Sequence, residues 1–229
     1  MELLEGMYDL HNKKNKKKMT NEEILNKILN VSNSELDLLD LSYIDENTPV
    51  IGNGTMYFEV DSGNLHHETT EYFYKNSGSE HYRLLTYISS LYNNEILFDV
   101  GTNYCLSALA LAHNKNNKIK SYDIIDKINI DFKKEKLDLI DNLEFVIGDF
   151  TTDEYLKNCS FIFLDVDHDG SYENFSYSYL KEINWKGLLL LDDINLNIHM
   201  SKFWNNISEK KYELTNIGHW SGTGLVFFE

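Results

Sequence analysis

From residue 95 onward the chain repeats one unit: an apolar run closed by an acid, a turn, then a helix-like stretch. "EILFDVG", "KIKSYDII", "LEFVIGDF", "FIFLDVD" and "GLLLLDD" are the runs. "LSALALA", "DFKKEKLDLI", a short piece around "DEYLK", "SYENFSYSYLKEI" and "HMSKFWNNISEK" follow them in turn. Near-continuous apolar runs alternating with helices predict a mostly parallel sheet covered on both faces. The last two runs, "YELTNIG" and "GLVFFE", have only the loop "HWSGT" between them. They predict an antiparallel hairpin at one edge of the sheet. The chain is thus of the α/β class.

The 229 residues suffice for one large core with a small addition. The formal charge is −16 and the single arginine is Arg83, which argues against a nucleic-acid backbone as partner and nearly excludes bidentate phosphate clamps. Cys105 and Cys159 are too few for a disulfide framework and suit a reducing compartment. With no apolar run near 18 residues and no signal-peptide core, the expected setting is cytoplasmic, without a membrane partner.

The N-terminal third reads differently. "HNKKNKKKM" (11–19) is a solvated basic tail. Thr20 with Glu23, and Ser32 with Glu35, form capping-box patterns that predict two short helices. Residues 50–78 read as loop, with a short hairpin around "TMYFEV". "SEHYRLLTYISSLY" predicts a helix capped by Ser79 that buries Leu84, Leu85, Ile88 and Leu91. The division that follows is 1–78 for tail, helices and substrate-side loop, and 79–229 for the sheet domain.

In such sheets ligands bind beyond the carboxyl ends of the strands. Those ends carry Asp99 with Gly101, Asp123, Asp149, Asp165 with Asp167 and His168, and Asp192 with Asp193. Five acids in a row exceed what turn-forming alone accounts for. Gly101 opens a turn into a helix, but a full G-x-G-x-x-G is absent. Asp123 is placed to accept from ribose hydroxyls, and Asp149 from an adenine amino group. Together they suggest an adenosine cofactor without phosphates.

At these residues the chain resembles the class I S-adenosylmethionine-dependent methyltransferases over roughly residues 80–229. It is most similar to their small-molecule O-methyltransferases of the catechol, macrocin and cephalosporin-biosynthesis types. "FDVGTNYCLSALALA", "SYD", "VIGDF", "FIFLDVDHDGSYENFSYSYL" and "WKGLLLLDDI" carry the resemblance. It implies a Rossmann-like, doubly wound sheet with S-adenosylmethionine at Asp99, Gly101, Ser107, Asp123 and Asp149. The methionine end would lie at Gly101 and Ser107. The D-x-D-H-x-Y pattern is matched by Asp165, Asp167, His168 and Tyr172, with extra residues before the tyrosine. Cys105 stands where the family usually has glycine.

Asp165, Asp192 and Asp193 would converge, and three carboxylates together call for a cation, here Mg²⁺. The resemblance implies the same trio. Bound to it, a hydroxyl of a sugar or other small molecule would lose its proton to His168 or Asp167 and attack the sulfonium methyl. An NAD-dependent oxidoreductase and a methyltransferase-like binding domain without catalysis are the rival readings, and a homo-oligomer is compatible with all three. His66, His67, His199 and Trp220 read first as loop, helix-start and packing residues.

Overall fold

The computed structural model describes residues 18–41, 55–59, 65–69, 75–103, 105–126, 138 and 140–229, with strands 55–59 and 65–69 described by backbone alone. Two capped helices come first among the described residues, α1 (Asn21–Asn30) and α2 (Asn33–Asp37). Both capping boxes are formed: Thr20 and Ser32 accept the backbone N–H three residues on, and Glu23 and Glu35 reach back to the cap. Such caps are each worth about 1 kcal/mol. Strands β1 (Thr55–Glu59) and β2 (Leu65–Thr69) pair antiparallel as the hairpin around "TMYFEV".

Helix α3 (Tyr82–Leu91) begins later than the sequence suggests. His81 occupies the cap position, without a side-chain cap bond. Ser79 lies two residues before the cap, in a turn where its N–H donates to the Asn76 carbonyl. Leu84, Leu85 and Ile88 are buried as their spacing implies. The single arginine, Arg83, is buried in α3 and donates to the carbonyls of Leu36, Asp37 and Lys75. Its role is to tie α2 to α3.

The remaining elements among the described residues are β3 (Ile96–Val100), α4 (Leu106–Ala112), β4 (Lys118–Asp123), β5 (Leu143–Ile147), β6 (Cys159–Leu164), α5 (Ser171–Glu182), β7 (Gly187–Leu191), α6 (Ile198–Asn206), β8 (Lys210–Glu213) and β9 (Gly224–Phe228). The sheet order is β5-β4-β3-β6-β7-β9-β8. Strands β3 to β7 are parallel, and β9 runs antiparallel to both neighbours. This is a Rossmann-like α/β sheet with the reversed pair at one edge. Short 3-10 turns at Phe150–Thr152 and Leu156–Asn158 stand where a helix around "DEYLK" was expected. Most of the expected helix at 131–140 and most of the basic tail at 11–19 lie outside the described residues.

Alternation along the strands makes two cores. Leu97, Phe161, Phe163, Leu188 and Leu190 face the side covered by α1, α3 and α4. Phe98, Ile162, Leu164, Leu189 and Leu191 face α5 and α6. Ile24, Leu25, Ile28 and Leu36 from the N-terminal helices join the first core, so residues 21–41 and the sheet share one interior. No helix among the described residues is long and apolar enough to cross a membrane.

Sharing a core predicts sharing a transition. Ile28 is fully buried, and Ile28→Ala is expected to cost about 2–5 kcal/mol. In urea the variant should unfold in a single shifted transition seen by both far-UV circular dichroism and tryptophan fluorescence. An early separate loss of helix would show that α1 docks independently.

Candidate functional site

The site begins where β3 stops. Gly101 has φ +98°, and a Cβ there would stand 1.7 Å from the carbonyl oxygen of Asp165. Only glycine lets the first turn cross the end of β6 so closely. Cys105, where a glycine was expected, also takes a left-handed conformation, φ 67°, and is fully buried. The turn keeps a glycine-like shape at the cost of backbone strain.

Asp99 and Ser107 sit behind this turn. Both are buried, and neither lines the cleft in front of it. Ser121 donates to Asp99 Oδ2 at 2.6 Å, and Ser121 Oγ lies 2.5 Å from Thr102 Oγ1. Burial, opposed by hydrogen bonds from Ser121 and Ser107, pushes the Asp99 carboxyl up to about 6.

In front of the turn a cleft of about 190 Å³ is lined by Gly101, Asn103, Asp123, Ile124, Gly148 and, on its far wall, Asp165 to His168 with Tyr172. Asp123 accepts the Asn103 N–H at 2.9 Å and the Ile125 N–H at 3.0 Å. It therefore shapes the turn as well as facing the cleft. Asp149 is set back: it accepts from Thr151 and from the Tyr172 hydroxyl at 2.9 Å, which holds Tyr172 against the cleft. Ile124, 70% exposed on the lining, was not anticipated.

Beyond Asp165 the cleft wall becomes a cluster of acids and imidazoles. His168 Nε2 lies 3.3 Å from Asp165 Oδ1 and 3.4 Å from Asp193 Oδ2. Its backbone is fixed from both sides, by Glu173 on its N–H and Asn197 on its carbonyl. Asp192, beneath, is 3% exposed. Two histidines absent from the sequence reading close over it: His81 from the start of α3, Nδ1 at 3.3 Å from Asp192 Oδ2, and His219 from the loop before β9, Nδ1 at 3.1 Å. Asp193 accepts from Ser221.

The cluster separates the carboxylates. Burial and the neighbouring Asp192 raise Asp165 well above the usual range. Burial also opposes the charge on Asp192, but His81 and His219 override it and hold its carboxyl well below that range. Burial disfavours the charge on His219, yet hydrogen bonds to Asp192 and Asp193 carry it up to about 10. His81 is likewise raised, Asp192 outweighing burial.

A cation has been expected on Asp165, Asp192 and Asp193. Among the described residues, the triplets with donor atoms within 4.8 Å of one another are Glu80–His81–His219, His81–Asp165–Asp192 and Asp192–Asp193–His219. The three carboxylates alone are not such a triplet. Each includes an imidazole, which does not fit an all-oxygen Mg²⁺ site. His199 lies at the exposed start of α6, and Trp220, 68% exposed, stacks edge-on against His219. His66 and His67 fall on β2, described by backbone alone.

No protein-family model matches the chain, and no curated protein does. Among solved structures it is similar to the SAH-bound methyltransferase PaMTH1 of Podospora anserina, at 15% identity over 65% of this chain and 77% of that one, with a TM-score of 0.46. A methyltransferase of Geobacter sulfurreducens gives 15% identity over 65% and 78%, with a TM-score of 0.48. Fibrillarin of Aeropyrum pernix, bound to S-adenosyl-L-methionine, gives 10% over 79% and 96%, with a TM-score of 0.44. Likenesses this distant carry no activity across to the chain.

The buried Asp99 sets a pH dependence. Its folded value lies above its unfolded one, so its stabilising contribution is complete below about pH 4 and is lost as pH rises through about 6. Asp99→Asn removes that loss. Relative to wild type, the variant should gain about 2 kcal/mol between pH 4.5 and 7.5. Urea unfolding of both proteins at the two pH values measures the gain, and an equal difference at both would mean Asp99 ionises freely in the fold.

Proposed function

We propose that the chain is an S-adenosylmethionine-dependent O-methyltransferase acting on a hydroxyl of a sugar or other small molecule. The observation that carries this reading is one continuous cleft with two chemistries. At one end lie a Cβ-free turn and a single acid, Asp123, at the end of the second parallel strand. At the other lies an imidazole held between two carboxylates. The first end suits a nucleoside and offers no second glycine for a pyrophosphate. The sheet order, with its reversed strand before the edge, is that of the methyltransferase fold.

In this reading Asp123 accepts from the ribose hydroxyls. Ile124 offers an apolar face to the adenine, beside Gly148 and Tyr172. Asp149 acts through Tyr172, and Asp99 and Ser107 act by holding the turn. The methionine end passes Gly101 toward Asp165. The acceptor hydroxyl approaches His168, whose Nε2 takes its proton while the oxygen attacks the sulfonium methyl in line. The O–CH₃ bond forms as the S–CH₃ bond breaks, leaving S-adenosylhomocysteine and a protonated imidazole beside Asp165 and Asp193. Asp167, on the same wall, is the second candidate for the proton. Most of the rate gain comes from positioning the two reactants. Mg²⁺ is given no step, because the donor set does not suit it.

Calorimetric titration with S-adenosylmethionine, S-adenosylhomocysteine and NAD tests the reading: the first two should bind and NAD should not. Asp123→Asn keeps an acceptor for the Asn103 N–H but loses the charge. It should weaken S-adenosylhomocysteine by about 10–100-fold, the worth of one charge-assisted hydrogen bond. Unchanged affinity in that variant would place the ribose elsewhere.

A further inference from the structure

The buried polar atoms beside the cleft that have no hydrogen-bond partner include both ring nitrogens of His81 and Oδ1 of Asp192. Each side chain is only 3% to 4% exposed. A buried polar atom left unsatisfied costs about 1–3 kcal/mol, and native folds hold few of them. An imidazole nitrogen and a carboxylate oxygen on two touching side chains can share one partner. An ion pair between the two does not supply it. His81 Nδ1 stands 3.3 Å from Asp192 Oδ2 but out of line for a hydrogen bond. A proton there leaves Asp192 Oδ1 as it was.

A cation satisfies the geometry. One donor atom each from His81, Asp165 and Asp192 lie within 4.8 Å of one another. Metal–ligand bonds of about 2.1 Å put ligand atoms about 3.0–4.2 Å apart, and the His81–Asp192 separation falls in that range. The geometry points to a divalent transition-metal site formed by His81, Asp165 and Asp192, which takes Zn²⁺-like cations in preference to Mg²⁺. An imidazole nitrogen favours zinc, iron and nickel, whereas magnesium keeps to oxygen. Asp193 is diverted from the set, accepting from Ser221 on Oδ1 and facing His168 with Oδ2. His219 stands outside it as a positioning residue. Its Nδ1 lies 3.1 Å from Asp192 Oδ2 and 2.8 Å from Ser221 Oγ, so it orients the carboxylate. Asp165 lines the cleft, which puts the ion at the cleft wall with its remaining positions toward water or a ligand oxygen. The site stands on these atoms alone and does not depend on methyl transfer.

The test uses the full chain, stripped with a chelator and dialysed. One equivalent of Zn²⁺ should bind with a Kd below about 1 µM. One equivalent of Co²⁺ should give a visible d–d band that Zn²⁺ removes and about 10 mM Mg²⁺ does not. His81→Gln should weaken this site by at least about 100-fold, and Asp193→Asn by less than about 10-fold. Circular dichroism checks that both variants are folded. Should His81→Gln not fold, the wild-type competition decides: removal of the band by Mg²⁺, or no Co²⁺ bound at about 100 µM, overturns the site. So does a band indifferent to His81→Gln, or one abolished by Asp193→Asn alone, which marks a three-carboxylate site.

Discussion

Everything at the carboxyl edge depends on one close crossing of two backbones. The Gly101 turn lies against the Asp165 carbonyl with no room for a Cβ. The Asp165 N–H donates to the Val100 carbonyl at 2.9 Å. The N–H groups of Gly101 and Thr102 both donate to the Tyr122 carbonyl, also at 2.9 Å. The ends of three neighbouring strands are thereby tied together just before they diverge. The cleft opens in front of this knot and the acid–imidazole cluster lies to one side. A wider spacing would separate Asp165 from both at once.

The cluster shows how one edge can hold many acids without flying apart. Asp165 and Asp192 end adjacent strands and repel, and their surroundings resolve the conflict in opposite directions. Asp192 lies under two imidazoles and keeps its charge. Asp165, without comparable support, is driven toward its neutral form. A neutral acid and a carboxylate can share an apolar floor that two carboxylates cannot. At the proposed site protons and a metal ion would compete for the same lone pairs, so metal affinity there would fall as pH falls.

The fold was legible in the sequence because its signals are local. Both capping boxes stand at Thr20 and Ser32, and the buried faces of β6 and β7 are simple apolar runs. The cap of α3 was misplaced because the turn at 76–79 is held by backbone bonds that residue type does not announce. Of the residues named for the site, Gly101, Asp123, Asp165, Asp167 and His168 line the cleft, whereas Asp99, Ser107 and Asp149 support it from behind. Side-chain direction separates the two groups, and sequence position does not carry it. His81 and His219 were missed because each meets the cluster only through tertiary packing. The signal was topological. A helix leading into a parallel strand starts at the edge where that strand ends, and an antiparallel strand starts there too. Residues just before α3 and β9 were therefore bound for the same edge as the acids.

That placement of His81 sets an order of assembly. His81 leaves the ribosome early, on the segment that docks the N-terminal helices, while Asp165, Asp192 and His219 follow much later. Contacts this distant along the chain form slowly, because the loops they close must first lose their freedom. The strands can pair without His81, but the cluster cannot close until α3 has settled across the sheet and β9 has slipped in beside β7. Completion of this cluster thus requires that α3, from the first half of the chain, and the loop before β9, from its last part, have reached the same interior.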